Sequence, residues 1–300
     1  MEITTFKDNF YKRVRSELLI EEPFLDYVLA AYWAREHILF EGPPGTGKTS
    51  LAETLGEILG NFGRIQMTPE TLPSDILGTQ MLKSKESMTF EFKKGPIFHD
   101  LVLVDEINRA TPRTQSALLQ AMQERKVQIE DESYNLSDGF LVIATLNPTQ
   151  MDGTFMLPDS QLDRFGLCLK FTQPEGKHLE AVLEHALKVN ENQEELELMK
   201  LEKKSAIDVP ADWLRVCSEL QKTLSNQDSL DQGIRPLGIR AFKTWLNLGL
   251  ALSEVRGKSH LSTECLRELI EPVFMHRFGP FIESDYVSKL LKSFDKATGL

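Results

Sequence analysis

Residues 37–60, HILFEGPPGTGKTSLAETLGEILG, decide how this chain folds. His37-Ile38-Leu39-Phe40 is a short apolar run that stops at a Gly/Pro cluster, the pattern of a buried strand. From Lys48 onward the sequence reads as a helix that ends at Gly60-Asn61. Between them, Gly42-Pro43-Pro44-Gly45-Thr46-Gly47-Lys48-Thr49 matches G-x-x-x-x-G-K-[ST] in full, in the strand–loop–helix setting the motif requires. Glycines let the backbone wrap its N–H groups around phosphates, and the helix presents its positive N-terminus to them. Lys48 is placed to reach the β and γ phosphates and Thr49 to offer a hydroxyl to Mg²⁺, with Ser50 completing the phosphate-binding set.

Outward from this loop, apolar runs alternate with helical patterns. Residues 6–35 carry apolar residues at helical spacing, including Phe10, Val14 and Leu18, then Leu25, Val28, Leu29 and Tyr32. Strands are expected at 64–67, 101–104, 140–144 and 167–171, and a helix at 114–125. Residues 79–94 and 127–139 read as hairpins. Continuous apolar strands alternating with helices imply a parallel α/β sheet covered on both faces. Past about residue 175 the strand-like runs stop, and helices are expected at 178–203, 211–225, 237–255 and 262–275. Residues 1–175 are therefore expected to form an α/β nucleotide-binding domain, and 176–300 a small all-helical domain.

Leu101-Val102-Leu103-Val104-Asp105-Glu106 puts two carboxylates at the C-terminal end of an apolar strand, the sheet edge where ligands of open α/β sheets bind. An acidic pair there is often only a solvated loop. Beside a phosphate loop, Asp105 is placed to hold Mg²⁺ and Glu106 to orient and deprotonate a water. Asn147, after the strand 140–144, lies at the same edge and is able to fix that water or contact the γ-phosphate.

Composition narrows the function. The 300 residues are 41% hydrophobic and 26% charged, as in ordinary globular proteins. A net charge of −11 removes the general basic footprint of a nucleic-acid binder. Cys168, Cys217 and Cys265 are too far apart for a zinc or disulfide framework, which suits a reducing cytoplasm. The first residues lack a signal-peptide core, and no apolar run approaches the roughly 18 residues of a membrane helix, so no membrane insertion is expected. The six histidines show no metal-ligand spacing.

Together these blocks resemble the MoxR group of the AAA+ ATPases, over roughly residues 35–280. The resemblance is carried by TLPSDILGT at 71–79, by GPIFHDLVLVDEINRATPRTQSALLQAMQERKVQI at 95–129, and by NPTQMDGTFMLPDSQLDRF at 147–165. It implies a P-loop NTPase core with a helical lid. By resemblance, Lys48 and Thr49 match Walker A, Asp105 and Glu106 Walker B, and Asn147 sensor 1. Arg164 matches the arginine finger that reaches a neighbouring subunit's γ-phosphate, Arg109 an interface position, and Arg240 the sensor 2 that contacts nucleotide from the lid. Gly238-Ile239-Arg240-Ala241 departs from the commoner Ser-Pro-Arg-Ala, which leaves Arg235 as a competing sensor 2. Leu146 stands where Gln is usual. His276-Arg277-Phe278 is similar to a late family segment. The two hairpins match inserts that line a central pore, without the aromatic-glycine loop of threading unfoldases.

The resemblance further implies ATP and Mg²⁺ as cofactors and a homo-oligomeric, hexameric ring in the cytoplasm. Its work would be chaperone-like remodelling of a client protein, or of a partner carrying a von Willebrand A domain. Two alternatives stand beside this: a nucleotide-gated binding switch with little turnover, and the motor subunit of a magnesium-chelatase-like machine. DNA-directed motors fit the acidic charge poorly.

Overall fold

The computed structural model describes residues 3–84, 89–148, 153–188, 210–225, 236–278 and 285–299. Its centre is a five-stranded parallel sheet, built from β1 (Ile38–Glu41), β2 (Phe62–Gln66), β5 (Leu101–Asp105), β8 (Leu141–Leu146) and β9 (Leu167–Lys170). The strand order is β2-β5-β8-β1-β9. Successive side chains of a strand point to opposite faces, and both faces here are covered, so the strands are apolar throughout. Ile38, Phe40, Leu101, Leu103, Leu141 and Ile143 enter one core. The alternating Leu39, Val102, Val104, Val142 and Ala144 enter the other.

The first core is closed by α1 (Ile3–Glu17), α2 (Glu22–Ala34), α3 (Lys48–Leu59) and the C-terminal helices α8 (Ala211–Leu224), α9 (Ile239–Val255), α10 (Thr263–Glu268), α11 (Ile270–Phe274) and α12 (Asp285–Thr298). (In chain order, α4 is Pro73–Leu77, α5 Pro112–Glu124, α6 Asp159–Leu162 and α7 Gly176–Lys188.) The second core lies under α4 and α5. Thus α9 packs along α2, and the N-terminal and C-terminal helices share one apolar interior. Asp26 of α2 fastens them. It accepts from Lys7 Nζ at 2.9 Å, Arg256 Nε at 3.0 Å and the Tyr11 hydroxyl. Arg256 also forks onto Glu268 at 3.0 and 2.8 Å.

The expected parallel sheet, flanked by helices and followed by a helical region, is present. Its details shift. β2 begins at Phe62, two residues early, because Gly63 interrupts the apolar run without breaking the pairing of Phe62 with Leu101. The expected helix 262–275 is two helices. Pro272 lacks an N–H and its ring opposes the carbonyl four residues back, at Glu268, where α10 ends. The helix expected at 178–203 is α7 as far as Lys188; residues 189–203 lie outside the described residues. The hairpins are β3 (Gly78–Ser84) with β4 (Thr89–Lys94), and β6 (Lys126–Ile129) with β7 (Glu132–Asn135). They touch through Phe92 and Tyr134, whose rings are 4.4 Å apart. Among the described residues, no helix is long and apolar enough to cross a membrane.

His37 ties the N-terminal edge of the sheet together. Its Nδ1 accepts from the Val142 N–H at 2.9 Å and its Nε2 donates to the Met122 carbonyl at 3.4 Å. The bond from Val142 needs the neutral ring, because a protonated Nδ1 cannot accept it. Burial, reinforced by the Arg125 charge, lowers its pKa to about 4. The unfolded chain takes up this proton near pH 6.5 and the folded chain does not, so the stabilisation is complete above 6.5 and is lost as the pH falls toward 4. Urea denaturation between pH 7 and 4.5 should show this loss, approaching about 3 kcal/mol at the acid end. In His37→Gln that component should be missing.

Candidate active site

The loop after β1 is shaped by its glycines. A Cβ on Gly42, whose φ is +155°, would lie 2.3 Å from the Phe171 carbonyl oxygen, so no side chain fits where the loop leaves the sheet. Gly47 caps α3 at φ +86° and has no side chain to bond the first-turn amides. The first turn of α3 also contains no acidic residue. Its N–H groups and positive dipole end are thereby kept for an external anion. Lys48 folds back over the loop, donating to the carbonyls of Gly42 at 2.8 Å and Pro43 at 2.5 Å. Burial lowers its pKa, and the carboxylates of Asp105 and Glu106 oppose that shift.

Parallel register carries the carboxylates to the same edge. Val104 pairs with Ala144 on one side, and Asp105 with Gln66 on the other. Asp105 accepts from Thr145 Oγ1 at 2.5 Å and from Thr49 Oγ1 at 3.3 Å, and pairs with Arg64 Nη2 at 3.2 Å. Three elements thus converge on one carboxylate. Glu106 takes up a left-handed backbone, φ +54°, which is uncommon for a residue with a side chain. Its N–H donates to Thr145 Oγ1 at 2.8 Å, and its carboxylate accepts from Gln66 Nε2 at 3.2 Å and Arg109 Nη1 at 2.8 Å. Asn147 is buried beside them, its carbonyl receiving Asn108 Nδ2 at 3.1 Å.

These groups enclose a cavity of about 320 Å³, lined by residues 44–50 of the loop and helix and by Gln66, Asp105, Glu106, Thr145 and Asn147. Oxygen donors from Thr49 and Asp105 suit a hard divalent cation beside a phosphate. The expected residues Lys48, Thr49, Asp105, Glu106 and Asn147 are therefore brought together. Thr145, Gln66 and Arg64 were not singled out in sequence. Thr145 follows four apolar residues near the end of β8, and a polar residue there is the one available signal.

Arg164 and Arg240 stand elsewhere. With Arg35, Arg125, Lys243 and Asp163 they line a second cavity of about 510 Å³. It also includes His37, which precedes β1, whereas Gly42 follows it. The two cavities therefore open at opposite ends of the strand. Arg240, expected at the nucleotide of its own chain, lines this second cavity and not the cleft at the phosphate loop. The cause is the packing of α9 along α2, which carries the first turn of α9 to the N-terminal edge of the sheet. Burial lowers the Arg164 pKa, and the nearby Arg240 charge lowers it further. Arg240 lies 3.8 Å from Asp163 and is 47% exposed. Arg235, the competing sensor 2, lies outside the described residues.

Residues 37–167 match the profile of the AAA ATPases, the ATPase family associated with various cellular activities. The Bacillus subtilis protein YeaC is 47% identical over 147 residues, 49% of this chain and 46% of YeaC. Chaperone MoxR1 of Mycobacterium tuberculosis is 39% identical over 153 residues, 51% of this chain and 40% of its own. Each alignment thus spans less than half the length of the relative. A crystal structure of a protein from Cytophaga hutchinsonii, assigned as an ATPase, superposes with a TM-score of 0.77 at 26% identity, covering 98% of this chain and 96% of that one.

Thr145→Val keeps the shape of the side chain and removes the hydroxyl that serves both Asp105 and the Glu106 amide. Urea denaturation should register a loss of about 1–3 kcal/mol. If the cleft hydrolyses ATP with Asp105 holding a metal, turnover should fall about 10- to 100-fold, the usual cost of removing a group that orients a metal ligand.

Proposed function

We propose that residues 37–167, which match the AAA ATPase profile, form an ATPase domain of the MoxR type, and that the chain is a Mg²⁺-dependent ATP hydrolase whose site is completed by a neighbouring subunit of a homo-oligomeric ring. The observation that carries this reading is the placement of Arg164 and Arg240 at the opposite end of β1 from the phosphate loop. One copy's arginine edge would then meet the next copy's cleft, a head-to-tail contact that closes into a ring.

Within the cleft, the loop amides and Lys48 hold the phosphates, Lys48 exchanging the carbonyls of Gly42 and Pro43 for phosphate oxygens. Thr49 and Asp105 would hold Mg²⁺, which when bound neutralises charge on the phosphate oxygens. Glu106 deprotonates the attacking water, aimed by Gln66 and Arg109. Asn147 fixes that water. Arg164, with Arg240 beside it, supplies positive charge to the γ-phosphate of the neighbour. A charge delivered in this way is worth about 10³–10⁵ in rate.

A hexameric ring in the cytoplasm that remodels client proteins, some carrying von Willebrand A domains, extends the same reading. MoxR1 is named a chaperone, which supports it. No contact with nucleic acid is expected at a net charge of −11. A slow nucleotide-gated switch is the second reading. The ion pair of Glu106 with Arg109 at 2.8 Å favours it, because the base is engaged in the isolated chain.

Lys48→Ala should abolish ATP binding. Glu106→Gln and Arg164→Ala should each bind ATP and lose turnover by at least about 10³-fold. In an equal mixture of the last two, about one site in four combines an intact Glu106 with an intact Arg164 across an interface. Activity should return to that order in a coupled phosphate-release assay. No recovery at any ratio would place Arg164 in its own chain's reaction or show that no ring forms.

A further inference from the structure

Arg277 belongs to a single turn, Met275–Arg277, that follows α11, and its side chain is only 3% exposed. It donates from Nε to Asp163 Oδ1 at 2.9 Å, from Nη2 to the Phe165 carbonyl at 2.8 Å, and from Nη1 to the Val273 carbonyl. Burial, with the Arg277 charge adding to it, holds the neighbouring His276 well below its ordinary pKa. Its neutral ring therefore has an N–H to give, and Nε2 lies 3.0 Å from the same Phe165 carbonyl. These contacts fall on the residues immediately before and after Arg164.

The segment is held from its other side as well. Gly166 donates its N–H to the His37 carbonyl at 2.8 Å, and a Cβ there would come within 2.6 Å of Glu36 Cβ. The turn that carries Arg277 is itself seated in the C-terminal helices, where Phe274 packs on Trp245 with ring centroids 5.5 Å apart. An arginine spends much of its charge–charge attraction on desolvation when buried, and an apolar residue of the same size often stabilises a fold as well. What the planar guanidinium provides here is direction: its rigid fork of donors addresses three separate acceptors.

On the reading that Arg164 acts on the neighbour's nucleotide, we propose that Arg277 is the positioning residue for Arg164. Through Asp163 and the Phe165 carbonyl it makes the placement of that guanidinium depend on the placement of the C-terminal helices. Asp163 is the shared point, since its other oxygen faces Arg240.

The test compares Arg277→Met, Arg277→Lys and Asp163→Asn with Arg164→Ala. ATP affinity, a property of the variant's own cleft, should stay within about twofold, while kcat falls about 10- to 100-fold, the penalty for misplacing a reacting group by an ångström. Arg277→Lys should lie between wild type and Arg277→Met. Mixing Arg277→Met with Glu106→Gln should restore turnover, because the defect lies in what a subunit gives to its neighbour. In an Arg164→Ala background, Arg277→Met should cost little more, the signature of two residues acting as one unit. An equal further loss in that background, absence of recovery on mixing, or unchanged kcat in Arg277→Met would each overturn the proposal. If Arg277→Met does not fold, Arg277→Lys and Asp163→Asn carry the same comparisons. Wild-type turnover in Arg164→Ala would instead overturn the underlying reading of a composite site.

Discussion

β1 is four residues long, and its two ends lead to different chemistry. Gly42 opens the phosphate loop at one end, and His37 borders the arginine-lined cavity at the other. A strand rises about 3.3 Å per residue, so the two sites are separated by about the length of the strand, some 15 Å. The arginines at the far end line a cavity of their own, apart from the phosphate loop of the same chain. Parallel pairing of β1 with β8 and β9 makes this separation rigid.

The same pairing concentrates the polar groups of the cleft. Asp105 terminates β5, Thr145 is the last residue but one of the adjacent β8, Gln66 terminates β2, and Thr49 approaches from α3. The polar groups lie at the C-terminal ends of strands whose inner residues are buried, so the site is a polar rim on an apolar core. Thr145 shows how closely the parts depend on one another: one hydroxyl donates to the Asp105 carboxylate and receives the Glu106 amide. The left-handed backbone of Glu106, which costs energy in a residue with a side chain, is held in part by that bond.

Much of this was legible in the sequence. Runs such as Leu101-Val102-Leu103-Val104 are apolar at every position because both faces of the sheet are buried, and no periodicity had to be resolved to find them. The phosphate loop was legible because its chemistry constrains consecutive residues. What was not legible depends on side chains meeting from distant positions. Gln66 meets Glu106 only through the register of β2 with β5, and Arg277 meets Asp163 across more than a hundred residues. The place of Arg240 was hidden for a similar reason. A motif on one helix does not say which end of the sheet that helix packs beside, and here the contact of α9 with α2 decides it.

The most direct measurement is the rate of ATP hydrolysis per subunit as a function of protein concentration, with Mg²⁺ present and mass followed by light scattering on the same samples. A site completed by a neighbour predicts negligible turnover where only single-chain mass is found, and a steep rise as the ring mass appears. Full turnover per subunit at concentrations where the chain is a monomer would contradict the account.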